Sequence, residues 1–122
     1  MSRLHVLLLP FGKIYSPWCD DVVSSVGARH HISVYDDTKP LAPQFAGIDV
    51  VIDQGGSVGT REMMDAAVDT RLWQILGTGF DHFDLEYIKR KEIPVANTPG
   101  QFSSVALAET AMMLILMLAH KY

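Results

Sequence analysis

Three glycine-bearing segments carry the residue types and spacing that could do chemistry: Gln54-Gly55-Gly56, Gly77-Thr78-Gly79 and Asn97-Thr98-Pro99-Gly100. Each follows a short apolar run. Glycine lets backbone N–H groups approach a bound molecule closely, and converging N–H donors suit an anion such as a carboxylate or phosphate. One such loop could simply turn a strand into a helix; three on neighbouring strands point to a shared recognition edge.

Other chemistry finds less support. Cys19 sits beside Asp20 and Asp21, whose charges oppose a thiolate, so it is not read as a nucleophile. As the single cysteine it excludes an internal disulfide and suits a reducing compartment or indifference to redox state. Of the five histidines only His82 lies near the glycine turns, where it is expected to cap or pack the next helix. No histidine pair has metal-ligand spacing, and no Ser/His/Asp arrangement stands out.

The elements that must position these loops alternate. Leu4–Leu9 reads as a buried strand, Pro17 opens a helix to about Val26, and His31–Tyr35 is a more polar strand expected near a sheet edge. Asp36–Phe45 reads as loop, with Pro40 and Pro43 breaking any regular element. Ile48–Ile52 is a third strand, and Thr60 caps a helix through Val68 with Met63, Met64 and Ala67 on its apolar side. Trp73–Leu76, a helix capped by Asp84 through Lys91, Ile93–Ala96 and a final helix over about Ser104–His120 complete the series. Alternation of this kind predicts an α/β fold: a flavodoxin-like parallel sheet of five strands, order 2-1-3-4-5, with helices on both faces.

The chain of 122 residues, 48% hydrophobic and 20% charged, fits one small globular domain. Its net charge of -4, with scattered Lys and Arg, argues against nucleic acid. The Val105–Ala119 stretch is shorter than the ~20 residues of a membrane span and contains Glu109. Leu4–Leu9 is too short for a signal h-region, so the cytoplasm is the expected location.

Two other functions of such a scaffold fail on inspection. A phosphoacceptor receiver needs acids after strand 1 and a Lys after strand 5; Pro10-Phe11-Gly12 and Asn97-Thr98-Pro99 supply neither, although Asp53 is suitably placed. A flavodoxin needs a Ser/Thr-rich phosphate loop after strand 1. Gly77-Thr78-Gly79 is no dinucleotide fingerprint either, because position 82 is His82 and position 97 is Asn97 rather than an acid.

Gly77-Thr78-Gly79-Phe80-Asp81-His82-Phe83-Asp84, Ile93-Pro94-Val95-Ala96-Asn97-Thr98-Pro99-Gly100 and Ala108-Glu109, in this order, resemble the D-isomer-specific 2-hydroxyacid dehydrogenases. The family patterns are G-x-G-x-D-x-x-D, G-I-x-V-x-N-x-P-G and V-A-E. Two departures are visible: Glu92 stands where the family prefers Gly, and one extra residue precedes Glu109, so Ser103 and Ser104 receive no cofactor role. The resemblance implies that backbone at Thr78 and Gly79, with Gln54, Gly55 and Gly56, holds a substrate carboxylate. It also implies that Asp81 anchors the first turn, that Asn97 shapes the second, and that Pro99-Gly100 leads toward a cofactor domain.

It further implies an oxidoreductase of 2-hydroxy and 2-keto acids using NAD or NADP. The Rossmann domain and catalytic Arg, acid and His of the family would lie beyond Tyr122, so no bound cofactor and no turnover are expected of residues 1–122 alone. Residues 1–103 are then the substrate domain and 104–122 a connecting helix. That helix is apolar on nearly every side. One face is expected to cover the sheet and the rest to drive self-association as a homo-oligomer, with exchange of the helix between chains as one route. The alternative is a non-enzymatic, self-associating α/β module from a truncated gene.

Overall fold

The computed structural model describes residues 2–12, 16–55 and 58–122. The elements run β1 (His5–Leu9), α1 (Ser16–Gly27), β2 (His31–Val34), α2 (Leu41–Phe45), β3 (Val50–Asp53), α3 (Arg61–Ala66), β4 (Leu72–Ile75), α4 (Leu85–Arg90) and β5 (Val95–Ala96). A short 3-10 turn at Gly100–Phe102 then leads into α5 (Ser104–Ala119). The strands form one parallel sheet in the order β2-β1-β3-β4-β5, as alternation predicts, with β2 at an edge.

Side chains alternate across the sheet and divide the core in two. Leu7, Leu9, Val51, Trp73 and Ile75 face one layer, filled by Phe45 of α2, Met63 and Met64 of α3, and Ile88 of α4. Val6, Leu8 and Ile52 face the other, where Val22, Val23 and Val26 of α1 cover them. Helices therefore lie on both faces. The caps fall where their chemistry demands: Thr60 accepts the Met63 N–H, and Asp84 accepts the Tyr87 N–H at 2.9 Å.

Four expectations change. The Asp36–Phe45 stretch contains helix α2, because Pro40 stands just before it and Pro43 falls in its first turn, where an N–H has no intrahelical acceptor to lose. Strand β5 keeps two residues rather than four, although Ile93 is still buried in the core. Helix α3 stops at Ala66, and Val68 is 81% exposed. Finally, α5 does not cover the sheet: none of its residues is buried, and Leu118 is 77% exposed. Apolar residues surround the whole circumference of α5, so its pattern selects no single face for this sheet.

Glu92 has φ 58, the left-handed conformation that follows the α4 C-cap. Glycine suits that position best, which gives the Gly preference of the resembled pattern a backbone cause.

Candidate functional site

In a parallel sheet of this order, ligands bind beyond the carboxyl ends of the strands. Four loops emerge there, and their backbones are tied to one another. After β1, the Phe11 N–H donates to Gln54 Oε1 at 3.0 Å. After β3, Asp53 and Gln54 are fully buried, and Gly55 takes φ +97, a conformation that requires glycine. The Leu76 N–H donates to the Asp53 carbonyl at 2.8 Å and carries β4 into its loop.

The β3 and β4 loops meet through two glycines: a Cβ placed on Gly77 would lie 3.8 Å from Gly55 Cα. The β4 and β5 loops meet through three contacts. The Thr98 N–H donates to the Gly77 carbonyl at 3.0 Å, Asn97 Nδ2 donates to the Thr78 carbonyl at 3.0 Å, and a Cβ on Gly100 would lie 3.4 Å from Thr78 Oγ1. Thr78 and Gly79 are exposed at the crest. The structure thus brings together Gln54, Gly55, Thr78, Gly79, Asn97 and Gly100, with Pro99 exposed beside them; Gly56 lies outside the described residues. Beside this crest a cavity of about 380 Å³ opens between Trp18, Leu76, Thr78, Pro99 and Ser103.

Asn97 does more than shape its own turn, since its amide clasps the turn before it. Asp81 is exposed, with a carboxylate oxygen 3.9 Å from the place a Gly79 Cβ would take, and its side chain makes no hydrogen bond among the described residues. His82 is exposed and caps nothing, because Asp84 holds that place. Burial first, and Asp20 second, push the Cys19 thiol above its ordinary pKa, so it stays a neutral thiol at neutral pH. Among the described residues no group of three His, Cys, Asp or Glu could hold a metal ion.

One arrangement was not read from the sequence. Asp53 Oδ2 accepts both the Trp73 Nε1–H at 3.2 Å and the Gly59 N–H at 3.0 Å, deep in the core. The available signal was a carboxylate closing an apolar strand, which the sequence alone tied only to phosphoacceptor chemistry.

The fold and this edge define a class: a flavodoxin-like α/β domain whose carboxyl-end loops present exposed glycine backbone. Within that class, the model of the D-isomer specific 2-hydroxyacid dehydrogenase catalytic domain matches residues 13–113, and the chain belongs to this family. A hydroxypyruvate reductase of Thermotoga maritima is 31% identical over 81 residues, covering 66% of this chain and 25% of the relative. The glyoxylate/hydroxypyruvate reductase of Sinorhizobium meliloti, solved with NADP and malonate, aligns with TM-score 0.72 at 19% identity, covering 95% of this chain and 34% of that one. D-lactate dehydrogenase of Aquifex aeolicus, solved with NAD and lactic acid, gives 0.66 at 23% identity, over 93% and 33%. At these identities the structures speak for the fold. The chain spans a quarter of the first relative and about a third of these two structures.

Solved members of the family hold NAD or NADP. The Gly77–Gly79 turn and the start of α4 do not fit the pyrophosphate of such a dinucleotide. The helix after the glycine turn, α4, starts only at Leu85, and its N-terminal N–H of Tyr87 is already taken by Asp84, itself paired with Arg61. A pyrophosphate would meet a carboxylate there instead of free N–H groups.

Proposed function

We propose that residues 1–122 form the acid-binding wall of an NAD(P)-dependent oxidoreductase acting on the CH–OH group of D-2-hydroxy acids, or on the matching 2-keto acids. Residues 1–103 are the substrate domain in this reading, and 104–122 a connecting and oligomerisation helix. The substrate carboxylate accepts hydrogen bonds from the backbone N–H groups of Thr78 and Gly79, with Gln54 and Gly55 closing the neighbouring side. Asn97, through its amide on the Thr78 carbonyl, and Gly100, packed against Thr78, hold the two turns together with Pro99 beside them, whereas the Asp81 side chain makes no hydrogen bond among the described residues that would anchor the first turn.

One observation carries the reading. Gly77 and Gly79 have no left-handed φ, and a Cβ on either would meet nothing nearer than 3.8 Å. Neither backbone strain nor packing asks for glycine at these positions. Access for a ligand does, and Thr78 and Gly79 are exposed where that ligand would sit. The contrast is Gly55, whose φ of +97 explains its glycine without any ligand.

Hydride transfer needs a nicotinamide held against the substrate carbon, so one wall binds weakly and turns nothing over. Titrating the ¹⁵N-labelled chain with pyruvate and with D- and L-lactate tests the assignment. Amide shifts are expected at Gly55, Thr78 and Gly79, with millimolar midpoints; unmoved signals at these three would refute it. NADH oxidation with pyruvate by the 122-residue chain would refute the inactivity.

A second reading, a non-enzymatic self-associating module, is favoured by α5, whose apolar side chains stand in solvent. Self-association through Val105–Ala119 fits either reading. The free Cys19 suits a cytoplasmic setting, and no described helix is long and apolar enough to cross a membrane.

A further inference from the structure

We infer that Asp53 and Trp73 are positioning residues: one buried hydrogen-bonded joint sets the β3 and β4 loops against each other at the acid-binding edge. The inference rests on the carboxylate reading for its consequence in binding, but not for its geometry. Asp53 closes β3 and Trp73 lies in β4, both with no exposed surface. The single oxygen Oδ2 takes the indole N–H at 3.2 Å and the Gly59 N–H at 3.0 Å, so it fastens the far end of the β3 loop to the neighbouring strand. Gln54, the next residue, fastens the β1 loop through the Phe11 N–H.

Packing closes the same joint. The Trp73 and Phe83 rings sit 5.7 Å apart, and Phe83 lies in the β4 loop just before the Asp84 cap of α4. Gly59 lies where these pieces converge. A Cβ there would fall 2.6 Å from Trp73 Cζ2, 2.7 Å from Asp53 Oδ2 and 3.1 Å from Phe83 Cε2. Gly59 is thus glycine because the joint needs its space, whereas the exposed Gly79 has no such neighbour. One carboxylate oxygen and one indole thus add a buried side-chain joint to the backbone contacts between the two loops. A pre-set edge loses less entropy on binding than two independently moving loops.

Two substitutions and one measurement on the unsubstituted chain test this. Trp73→Phe keeps an aromatic ring and removes the N–H, while Gly59→Ala forces the loop off the indole. Each is expected to move the Gly55, Gly77 and Gly79 amide signals while leaving Asp49 and Arg71 at the opposite sheet end in place. Each should also weaken pyruvate binding at least ~threefold with the far-ultraviolet circular dichroism retained. In the unsubstituted chain, the Trp73 indole proton and Gly59 amide should exchange with solvent at least ~100-fold more slowly than in an open chain.

Rapid exchange of either proton overturns the joint, whatever the variants do. Unmoved loop signals in a folded Trp73→Phe chain, with unchanged pyruvate affinity, overturn the positioning role. If the unsubstituted chain binds no pyruvate while slow exchange and the loop shifts are seen, the carboxylate reading fails and the joint stands.

Discussion

Replacing Gly79 by Ala separates what the fold needs from what the ligand needs. The added methyl meets only Asp81 Oδ2, at 3.9 Å, which is ordinary van der Waals contact, and the backbone there is not left-handed. Folding should therefore tolerate it. Alanine also narrows the unfolded ensemble, so stability is expected to hold or rise by about 0.4–1 kcal/mol. Binding should respond in the opposite direction. The methyl stands on the exposed crest beside the N–H groups proposed to hold the carboxylate, and a lost hydrogen bond to a charged group is worth about 1.5–3 kcal/mol. At 25 °C that is roughly a 10- to 150-fold loss of affinity.

The assay pairs urea unfolding, followed by circular dichroism, with an amide titration by pyruvate on the same preparation. The expected result is an unchanged or higher unfolding midpoint with pyruvate shifts lost below the solubility limit. A Gly79→Ala chain that binds pyruvate as the unsubstituted chain does would refute a backbone carboxylate site at this turn. A chain destabilised by more than about 1 kcal/mol would show that Gly79 is there for the fold.

Self-association through α5 should appear by light scattering as a mass above 13.5 kDa at tens of micromolar; charges introduced by Leu114→Glu with Met117→Glu should restore the monomer, and a monomeric unsubstituted chain would refute the interface. Glu92→Gly should relieve the left-handed strain at φ 58 and raise stability by up to about 1 kcal/mol, read from urea midpoints; a loss would mean the Glu92 side chain supports the turn. Acid should weaken the domain modestly through Asp36, Asp49, Asp65 and Asp84, surface carboxylates all held below their ordinary values. Thr38 hydroxyl and Lys39 bring Asp36 to about 2, the His5 N–H comes first for Asp49, Lys91 for Asp65, and the Tyr87 N–H for Asp84. Because these folded-state values lie below the unfolded ones, their contribution is complete above the unfolded carboxylate range and is lost as pH falls through the folded values, about 2 for Asp36. Asp84→Asn, which can still cap α4, should flatten that slope, and an unchanged slope would remove Asp84 from the account.

The fold was legible where local rules act alone. Apolar runs of four to six residues separated by capped helices dictate a parallel sheet, and Thr60 and Asp84 cap as their side-chain oxygens allow. Legibility failed where position along an element decides the outcome. Pro43 reads as a breaker, yet proline in a first helical turn sacrifices no hydrogen bond, so α2 forms around it. The apolar stretch after Ser104 was readable as a helix. The expectation that one face covers the sheet failed because the helix has no preferred side, and the structure leaves it uncovered.

Of the edge, the glycines were visible but their reasons were not, and those reasons differ. Gly55 answers to its own φ, Gly59 to the indole and carboxylate pressed against it, and Gly77 and Gly79 to neither. A sequence writes all four with the same letter. Only the space around a missing Cβ tells a hinge from a joint or a landing place. Here that space ties Gly59 of the β3 loop to packing and leaves the crest of the β4 loop free for the recognition role proposed for it. Substitutions at Gly59 and Gly79 should therefore fail differently: the first by displacing both loops at once, the second by blocking a ligand in a chain that is otherwise intact.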